Sequence, residues 1–228
     1  MSVKKFIKHC ILRAVYGAKA SPEEYYRFLT SIGMRIGEGT IFFDPINTNV
    51  DIQNPKLVTI GKNVRITTGC IILTHDFSWS VLGGVYGECV GAVGTIDIGN
   101  NVFIGVNSVI LRNTIIEDNV VIGAGSVVSG HLEANSVYAG NPAKKIMSIE
   151  ELYLKRKEKS EIDIQKILSK IDTTNDDEVW QYLREYSCYF KDAPQDMQHK
   201  IMKDTGYYQL CRKYYESNGF SKQLKDYL

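Results

Sequence analysis

The chain has 228 residues, enough for one compact repeat domain with a smaller appended unit. Its 27 basic residues nearly balance its 26 acidic ones, so the overall charge gives no general attraction to nucleic acid, and no nucleic-acid partner is expected. The 5 cysteines are dispersed, odd in number and without a Cys-x-x-Cys pair, which favours reduced thiols in a cytoplasmic protein over a disulfide or zinc framework.

Residues 1–35 are predicted to form an N-terminal helical cap. Apolar residues recur at helical spacing from Phe6 to Val15 with basic residues between them, which predicts a basic amphipathic helix. His9 and Arg13 interrupt the apolar stretch that a signal peptide would need. The helix is expected to cover the open end of the next domain, with contact to a membrane surface as the alternative, and no transmembrane segment is expected.

An aliphatic residue returns at every sixth position over the middle of the chain. We name these positions lead residues: Ile60, Ile66, Ile72, Ile98, Ile104, Ile110, Ile116, Ile122 and Val128, with Ile36 and Phe42 less regularly before them. In a helix, residues six apart point in different directions and form no common face. In a strand, side chains alternate with period two, so residues six apart point to the same side. Residues 36–147 are therefore predicted to form a β domain.

Short strands with a bend every six residues are typical of a solenoid whose turns stack on one another. If three units make one turn, residues eighteen apart, such as Val106 and Ala124, lie one above the other at about the 4.8 Å spacing of hydrogen-bonded strands. Small side chains stacked in this way would line a groove. A β-sandwich is disfavoured because its strands vary in length and spacing.

The six-residue spacing of the lead residues is interrupted between Ile72 and Ile98. A loop insertion is therefore predicted over residues 76–95. His75 lies three positions after a lead residue, at the bend where this loop begins, and a bend residue points away from the packed interior. Long insertions in compact repeats are often functional. We therefore predict that His75 is a functional residue, with a surface histidine on a flexible loop as the alternative.

Residues 148–228 are predicted to form a C-terminal helical appendage. Ser148 and Glu151 have the spacing of a capping box, which would open a charged helix ending near Lys170. Further helical segments are predicted over residues 179–190, 195–203 and 207–220. The tyrosines of the appendage are expected to form core, with sugar stacking by exposed rings as the alternative.

The residues that precede the lead residues are predicted to point outward, and many of them are apolar. They are Phe103, Val109, Ile115, Val121 and Val127. An apolar exterior needs a cover, and neighbouring copies of the same chain are the simplest one. A homo-oligomer is therefore expected.

Several segments carry a resemblance to a known family. They are Ile98-Gly99-Asn100-Asn101-Val102, Ile104-Gly105, Ile122-Gly123-Ala124-Gly125-Ser126-Val127-Val128, Ala139-Gly140-Asn141-Pro142-Ala143-Lys144 and Thr74-His75-Asp76. In these segments the chain resembles the hexapeptide-repeat acyltransferases, left-handed parallel β-helices that act as trimers, and most of all the sugar O-acetyltransferases of bacterial surface polysaccharides. The resemblance alone implies the left hand, since most parallel crossovers are right-handed. The expected fold is thus mainly β, a left-handed parallel β-helix with an N-terminal helix and a C-terminal helical appendage.

The resemblance also implies roles for individual residues. His75 would be the general base that takes a proton from a sugar hydroxyl, since an imidazole exchanges protons near neutral pH, and Asp76 would orient its ring. The sugar oxygen would then attack the thioester of acetyl-CoA directly, without a metal. Residues expected to bind the coenzyme are Val106, Ala124, Ser129, Lys144 and Lys145. Residues expected to contact the saccharide acceptor are Trp79, Tyr86 and Glu88. In the implied homotrimer, His75 of one chain faces the coenzyme groove of another.

The same fold could also support other functions. A zinc carbonic anhydrase needs three clustered histidines, whereas His9, His75, His131 and His199 are scattered, so no metal site is predicted. An N-acyltransferase acting on a nucleotide-linked amino sugar would use the same base and coenzyme, and it stays open. A noncatalytic scaffold in a polysaccharide assembly complex also stays open.

Overall fold

The computed structural model describes residues 3–194, 207–219 and 223–227. The chain forms two compact units, Met1–Leu152 and Tyr153–Leu228. The helix predicted over residues 195–203, with His199, lies outside the described residues. Within the described ranges, no helix is both long and apolar enough to cross a membrane.

The first unit is a coil of short strands that belong in turn to three sheets, here named A, B and C. Sheet A contains β1 (Arg35–Ile36), β4 (Val58–Ile60), β7 (Ile96–Ile98), β10 (Thr114–Ile116) and β13 (His131–Leu132). Sheet B contains β2 (Ile41–Phe42), β5 (Arg65–Ile66), β8 (Phe103–Ile104), β11 (Val121–Ile122), β14 (Ser136–Ala139) and β15 (Lys144–Ser148). Sheet C contains β3 (Asn49–Val50), β6 (Ile71–Ile72), β9 (Val109–Ile110) and β12 (Val127–Val128). Three short strands thus make one turn of a parallel solenoid, as predicted.

The register of the strands agrees with the six-residue period. Ile104 pairs with Ile122, and Ile98 pairs with Ile116, so residues eighteen apart are stacked. Ile60 pairs with Ile98, 38 positions later, because the inserted loop lies between them. The lead residues from Ile60 to Val128 are buried in the core, where each large aliphatic side chain contributes about 1.5–3 kcal/mol of burial free energy.

The bends of the coil lie three positions after the lead residues. Most of these positions are asparagine or glycine. Glycine has no Cβ to clash in the left-handed backbone region, and asparagine tolerates that region better than most residues. The asparagines are Asn63, Asn101, Asn107, Asn113, Asn119 and Asn135, with φ between 54° and 59°. The Asn101 side chain donates to Asn119 Oδ1 at 2.8 Å, so neighbouring turns are also tied together at their corners. His75 takes the equivalent sequence position in its own turn, but it is not among the residues with positive φ and forms a β-bridge with Val93 instead.

The N-terminal segment forms α1 (Val3–Tyr16), a 3-10 turn (Gly17–Ala20) and α2 (Pro22–Ser31). Tyr25 and Leu29 of α2 are buried in the core of the coil, so the capping role expected of the first helix belongs to α2. Helix α1 is joined to α2 through an ion pair of Arg13 with Glu24 at 3.5 Å. Its apolar side chains at Phe6, Ile7, Ile11 and Val15 are exposed.

Helices continue the chain within the loop and after the coil. They are α3 (Trp79–Tyr86), α4 (Ile149–Leu168), α5 (Asp176–Tyr182) and α6 (Tyr207–Asn218), with 3-10 turns at Arg184–Tyr186 and Leu224–Asp226. The predicted capping box is confirmed, since Ser148 N–H donates to Glu151 Oε2 at 2.7 Å and Glu151 N–H to Ser148 Oγ at 3.0 Å. The helix predicted over residues 179–190 is wrong in its second half. There the chain turns, and Phe190 packs edge-on against Trp180 at 5.7 Å in the core of the second unit.

Candidate active site

The two ends of the inserted loop are fastened to each other at His75. His75 forms an isolated antiparallel bridge with Val93. On either side of it, Asp76 N–H donates to the Ala92 carbonyl at 3.1 Å and Gly94 N–H to the Thr74 carbonyl at 2.8 Å. The backbone of His75 is therefore fixed, while α3 within the loop buries no residue.

The ring of His75 is held by a carboxylate from the preceding turn. Nδ1 of His75 lies 2.5 Å from Oδ2 of Asp51, and the two side chains are only 13% and 4% exposed. The pairing of Val50 with Ile72 places Asp51 beside the segment that leads to His75. A buried carboxylate on Nδ1 fixes the ring and its tautomer, so Nε2 is the nitrogen that can exchange a proton.

The surroundings of Asp51 keep this carboxylate ionised. Burial raises the pKa of Asp51, but hydrogen bonds from Thr74, Gln53 and His75 together lower that pKa by more, so it falls below its usual range. Thr74 donates both its hydroxyl and its N–H, the latter at 3.1 Å, and Gln53 donates its N–H at 2.9 Å. The negative charge of Asp51 beside Nδ1 would stabilise an imidazolium if His75 accepted a proton.

Asp76 does not take the orienting role that its position next to His75 suggested. Its Oδ1 accepts from Ser78 N–H at 2.9 Å, and its Oδ2 accepts from Arg112 Nε at 3.2 Å. The hydrogen bonds from Ser78 and then Arg112 hold the pKa of Asp76 at about 2. Neighbouring residues in extended chain point to opposite sides, which is why Asp76 fastens the loop to the next turn and Asp51 holds the ring.

An aromatic surface begins beside the His75 ring. The Phe77 ring meets it edge-on at 5.2 Å, and Trp79 follows Phe77 at 6.3 Å. Of the predicted acceptor contacts, Trp79 is thus near the histidine. Tyr86 lies at the other end of α3, about 10 Å of helix away, and Glu88 follows it, both exposed. Phe77 is absent from the predicted contacts, yet its ring is in edge-on contact with the ring of His75.

Two predicted coenzyme residues stack on one edge of the coil. Val106 and Ala124 lie where strands of sheet B pass into sheet C, which we name the B/C edge. Gly125 N–H donates to the Val106 carbonyl at 2.7 Å, which joins the two turns directly. The turns approach so closely that a Cβ added at Gly105 would lie 2.6 Å from the Ala124 nitrogen.

The two predicted lysines differ in their surroundings. Lys144 opens β15 just after a turn in which Ala143 N–H donates to the Val127 carbonyl at 2.8 Å, so that turn reaches the B/C edge. Lys145 is paired with Glu133 at 2.8 Å, and this hydrogen bond raises the pKa of Lys145. Among the described residues, Lys144 forms no ion pair.

His75 lies on a different edge from Val106 and Ala124. It stands where strands of sheet C pass into sheet A, which we name the C/A edge, and Ser129 lies on this same edge after β12. The predicted base and most of the predicted coenzyme positions are thus on separate edges of one coil. In the described ranges, no group of three His, Cys, Asp or Glu side chains is arranged to hold a metal ion.

A three-sided parallel solenoid with a histidine–carboxylate pair at the base of an inserted loop has the features of a β-helix acyltransferase. The family model "Bacterial transferase hexapeptide (six repeats)" matches residues 95–130. Protein CapG from Staphylococcus aureus is 39% identical over 122 residues, which cover 54% of this chain and 70% of CapG. The chain belongs to the hexapeptide-repeat transferase family, and its fold is the predicted left-handed parallel β-helix.

Two further relatives carry the name of an O-acetyltransferase. The putative lipopolysaccharide biosynthesis O-acetyl transferase WbbJ from Escherichia coli K12 is 33% identical over 132 residues, 52% of this chain and 67% of WbbJ. The galactoside O-acetyltransferase of the same strain is 33% identical over 152 residues, 64% of this chain and 68% of that enzyme. The protein is therefore an acetyltransferase similar to the sugar O-acetyltransferases.

Proposed function

We propose that this chain transfers an acetyl group from acetyl-CoA to a sugar hydroxyl of a surface polysaccharide, of the capsule or O-antigen type, or of its precursor. The observation that carries this proposal is the Asp51–His75 pair, which presents an imidazole at the base of an exposed aromatic loop. The similarity to an O-acetyl transferase of lipopolysaccharide biosynthesis and to a galactoside O-acetyltransferase supports the acceptor class.

The proposed reaction is a direct transfer. Nε2 of His75 takes the proton of the sugar hydroxyl as the oxygen attacks the thioester carbonyl, and Asp51 stabilises the imidazolium. The tetrahedral intermediate collapses by breaking the C–S bond, and the imidazolium returns its proton to the departing CoA thiolate. No acyl-enzyme is needed, because the thioester is already activated and alignment of the two substrates supplies much of the rate.

The coenzyme is proposed to lie along the B/C edge, where Val106 and Ala124 of successive turns lie side by side and would border a pantetheine arm. Lys144, near the same edge, would meet the phosphates. Because His75 lies on the C/A edge, a complete site needs the B/C edge of a neighbouring copy. The exposed rings and methyl groups of Phe103 and Ile115 support such an assembly, which we propose is a homotrimer.

A site shared between chains predicts complementation. Chains carrying His75→Ala or Ala124→Trp should each be inactive, the first because it lacks the base and the second because a bulky ring fills the groove. Co-expression of the two should restore about a quarter of wild-type activity, since that share of interfaces in randomly mixed trimers pairs an intact histidine with an open groove. Thiol release from acetyl-CoA measures the activity. No recovery in mixed oligomers, or a monomeric mass by light scattering at micromolar concentration, would contradict the shared site.

Lys144→Ala is expected to raise the KM for acetyl-CoA by about tenfold and to leave kcat nearly unchanged, because a charge-assisted contact to phosphate is worth roughly 1.5–3 kcal/mol when it is not screened. Lys145→Ala is the matched control, and its effect should be smaller because Glu133 already pairs with that lysine. Steady-state kinetics of both variants are measured with acetyl-CoA and with a donor that lacks the nucleotide phosphates. If Lys144→Ala raises the KM equally for both donors, Lys144 does not contact the phosphates.

The acceptor can be identified by mass spectrometry of candidate glycans incubated with the protein and acetyl-CoA. An added acetyl group that mild alkali removes is an ester on a hydroxyl, as proposed. An alkali-stable acetyl group would instead indicate an amide and an amino-sugar acceptor. A chain that binds no acetyl-CoA in calorimetry would be a scaffold rather than an enzyme.

A further inference from the structure

The second unit contains a cavity of about 670 Å³ that is separate from the residues described so far. It is bordered by Tyr153 and Glu161 of α4, by Tyr189, and by Tyr214 and Tyr215 of α6, all within Tyr153–Leu228. Its volume lies in the range of about 300–1,000 Å³ that is usual for small-molecule sites. None of the residues assigned above to the base, coenzyme or acceptor lines it.

The rings around this cavity form an inner and an outer pair. Tyr189 and Tyr215 are half-buried and meet edge-on at 5.6 Å, and Tyr215 meets Tyr214 edge-on at 5.3 Å. Tyr153 and Tyr214 are 51% and 48% exposed. Of these four rings, Tyr189 packs against the core of the second unit, as expected of the tyrosines in the appendage. Tyr153 and Tyr214 are half-exposed instead, and such rings present contact area to the cavity at low entropic cost.

The polar groups of the cavity combine donors with acceptors and have balanced charge. Its ionisable side chains besides tyrosine are Arg156, Lys157, Glu158 and Glu161. Tyr189 donates its hydroxyl to Glu161 Oε1 at 3.2 Å, and Lys157 Nζ lies 5.7 Å from the centre of the Tyr153 ring. Two cations and two anions leave no net field to attract a polyanion such as nucleic acid or a lipid headgroup.

We propose that this cavity binds a neutral saccharide. One face of a pyranose is a set of C–H groups with partial positive charge, which packs against the negative face of an aromatic ring such as Tyr214 or Tyr153. Sugar hydroxyls both donate and accept, so they need a carboxylate such as Glu161 beside cationic donors such as Arg156. Binding here goes beyond the proposed acetyl transfer, because it involves neither His75 nor the coenzyme.

The proposal is tested with the full chain on a printed array of neutral oligosaccharides built from glucose, galactose and N-acetylhexosamine units. The chain is expected to be retained on neutral glycans. Tyr214→Ala and Tyr153→Ala should each raise the Kd for a retained glycan by about tenfold. Both side chains are half-exposed, so their removal should leave the thermal unfolding midpoint unchanged. The control is Tyr182→Ala, which removes a ring that is 54% exposed in the same unit but outside the cavity.

Different variants test glycan binding in the cavity and acetyl transfer at His75, so one proposal can fail without the other. His75→Ala should keep wild-type retention on the array, and Tyr214→Ala should keep wild-type acetyl transfer to a monosaccharide acceptor. Retention that His75→Ala abolishes would assign the bound glycan to the active site and overturn the second site. The proposal is likewise overturned if no neutral glycan is retained, or if the Tyr153 and Tyr214 variants bind as tightly as the Tyr182 control.

Discussion

Replacing His75 by alanine is expected to lower the turnover of acetyl transfer by about 10²- to 10⁴-fold, the usual contribution of a positioned general base. The proton of the sugar hydroxyl then has no acceptor as the oxygen attacks. Acetyl-CoA affinity should be unchanged, because the proposed role of His75 is to take the acceptor's proton, whereas the coenzyme is proposed to be held at the B/C edge by Val106, Ala124 and Lys144. Thiol release gives the turnover, and calorimetry gives the affinity.

His131→Ala is the matched control for this experiment. His131 also lies next to the C/A edge, as the first residue of β13 in sheet A. It is exposed, however, and its Nε2 is paired with Glu117 at 2.7 Å. Its removal should leave turnover near the wild-type level. Wild-type turnover in His75→Ala would exclude His75 as the base, and equal losses in the two variants would indicate a general effect on the coil.

Asp51→Asn is expected to lower kcat by about 10²-fold without changing the KM for acetyl-CoA. An amide in place of the carboxylate can offer Nδ1 a donor, which selects the wrong tautomer, and it carries no charge to stabilise the imidazolium. In the wild type the carboxylate supports His75 at every pH above its lowered pKa, and this support is lost as the pH falls through that pKa. The variant lacks the support at all pH values, so its kcat should be low throughout. The pH profile of kcat measures this difference.

Asp76→Asn separates the orienting role from simple loss of a neighbouring charge. Asp76 is next to His75 in sequence, but it bonds to Ser78 and Arg112. Its replacement should loosen the loop and raise the KM for the acceptor more than it lowers kcat. A larger fall in kcat for Asp76→Asn than for Asp51→Asn would show that the ring is oriented by Asp76.

The fold could be predicted because each six-residue unit sends a large aliphatic side chain into the core at the same position. Isoleucines at Ile98, Ile104 and Ile110 therefore display the period directly, and the break after Ile72 displays the inserted loop. The extent of α5 could not be predicted in this way. Apolar residues from Val179 to Phe190 have helical spacing, but tertiary packing against Trp180 turns the chain before Phe190.

The sequence identifies one of the two residues that form the candidate site, His75, but not the other, Asp51. His75 stands out because it lies three positions after a lead residue, where most units have asparagine or glycine, and directly before the inserted loop. Asp51 could not be found, because Phe42 and Val50 are eight residues apart rather than six and the register of the first turn is lost. Only the pairing of Val50 with Ile72 shows that Asp51 and His75 are neighbours. Extending the eighteen-residue register backwards from Ile72 reaches Asn54 rather than Val50, so the six-residue period carries no signal that would have located Asp51.

The inserted loop leaves the strands on either side of it in register, since Ile60 still pairs with Ile98 beneath it. Its two ends are closed by bonds between backbone atoms of Thr74, Asp76, Ala92 and Gly94, which do not depend on the side chains of the residues between them. The part of the loop between these bonds can therefore change in sequence without disturbing the strands of the coil. If the loop contacts the acceptor as we propose, grafting loops from other members of the family onto this closure would exchange glycan preference and leave the coil intact.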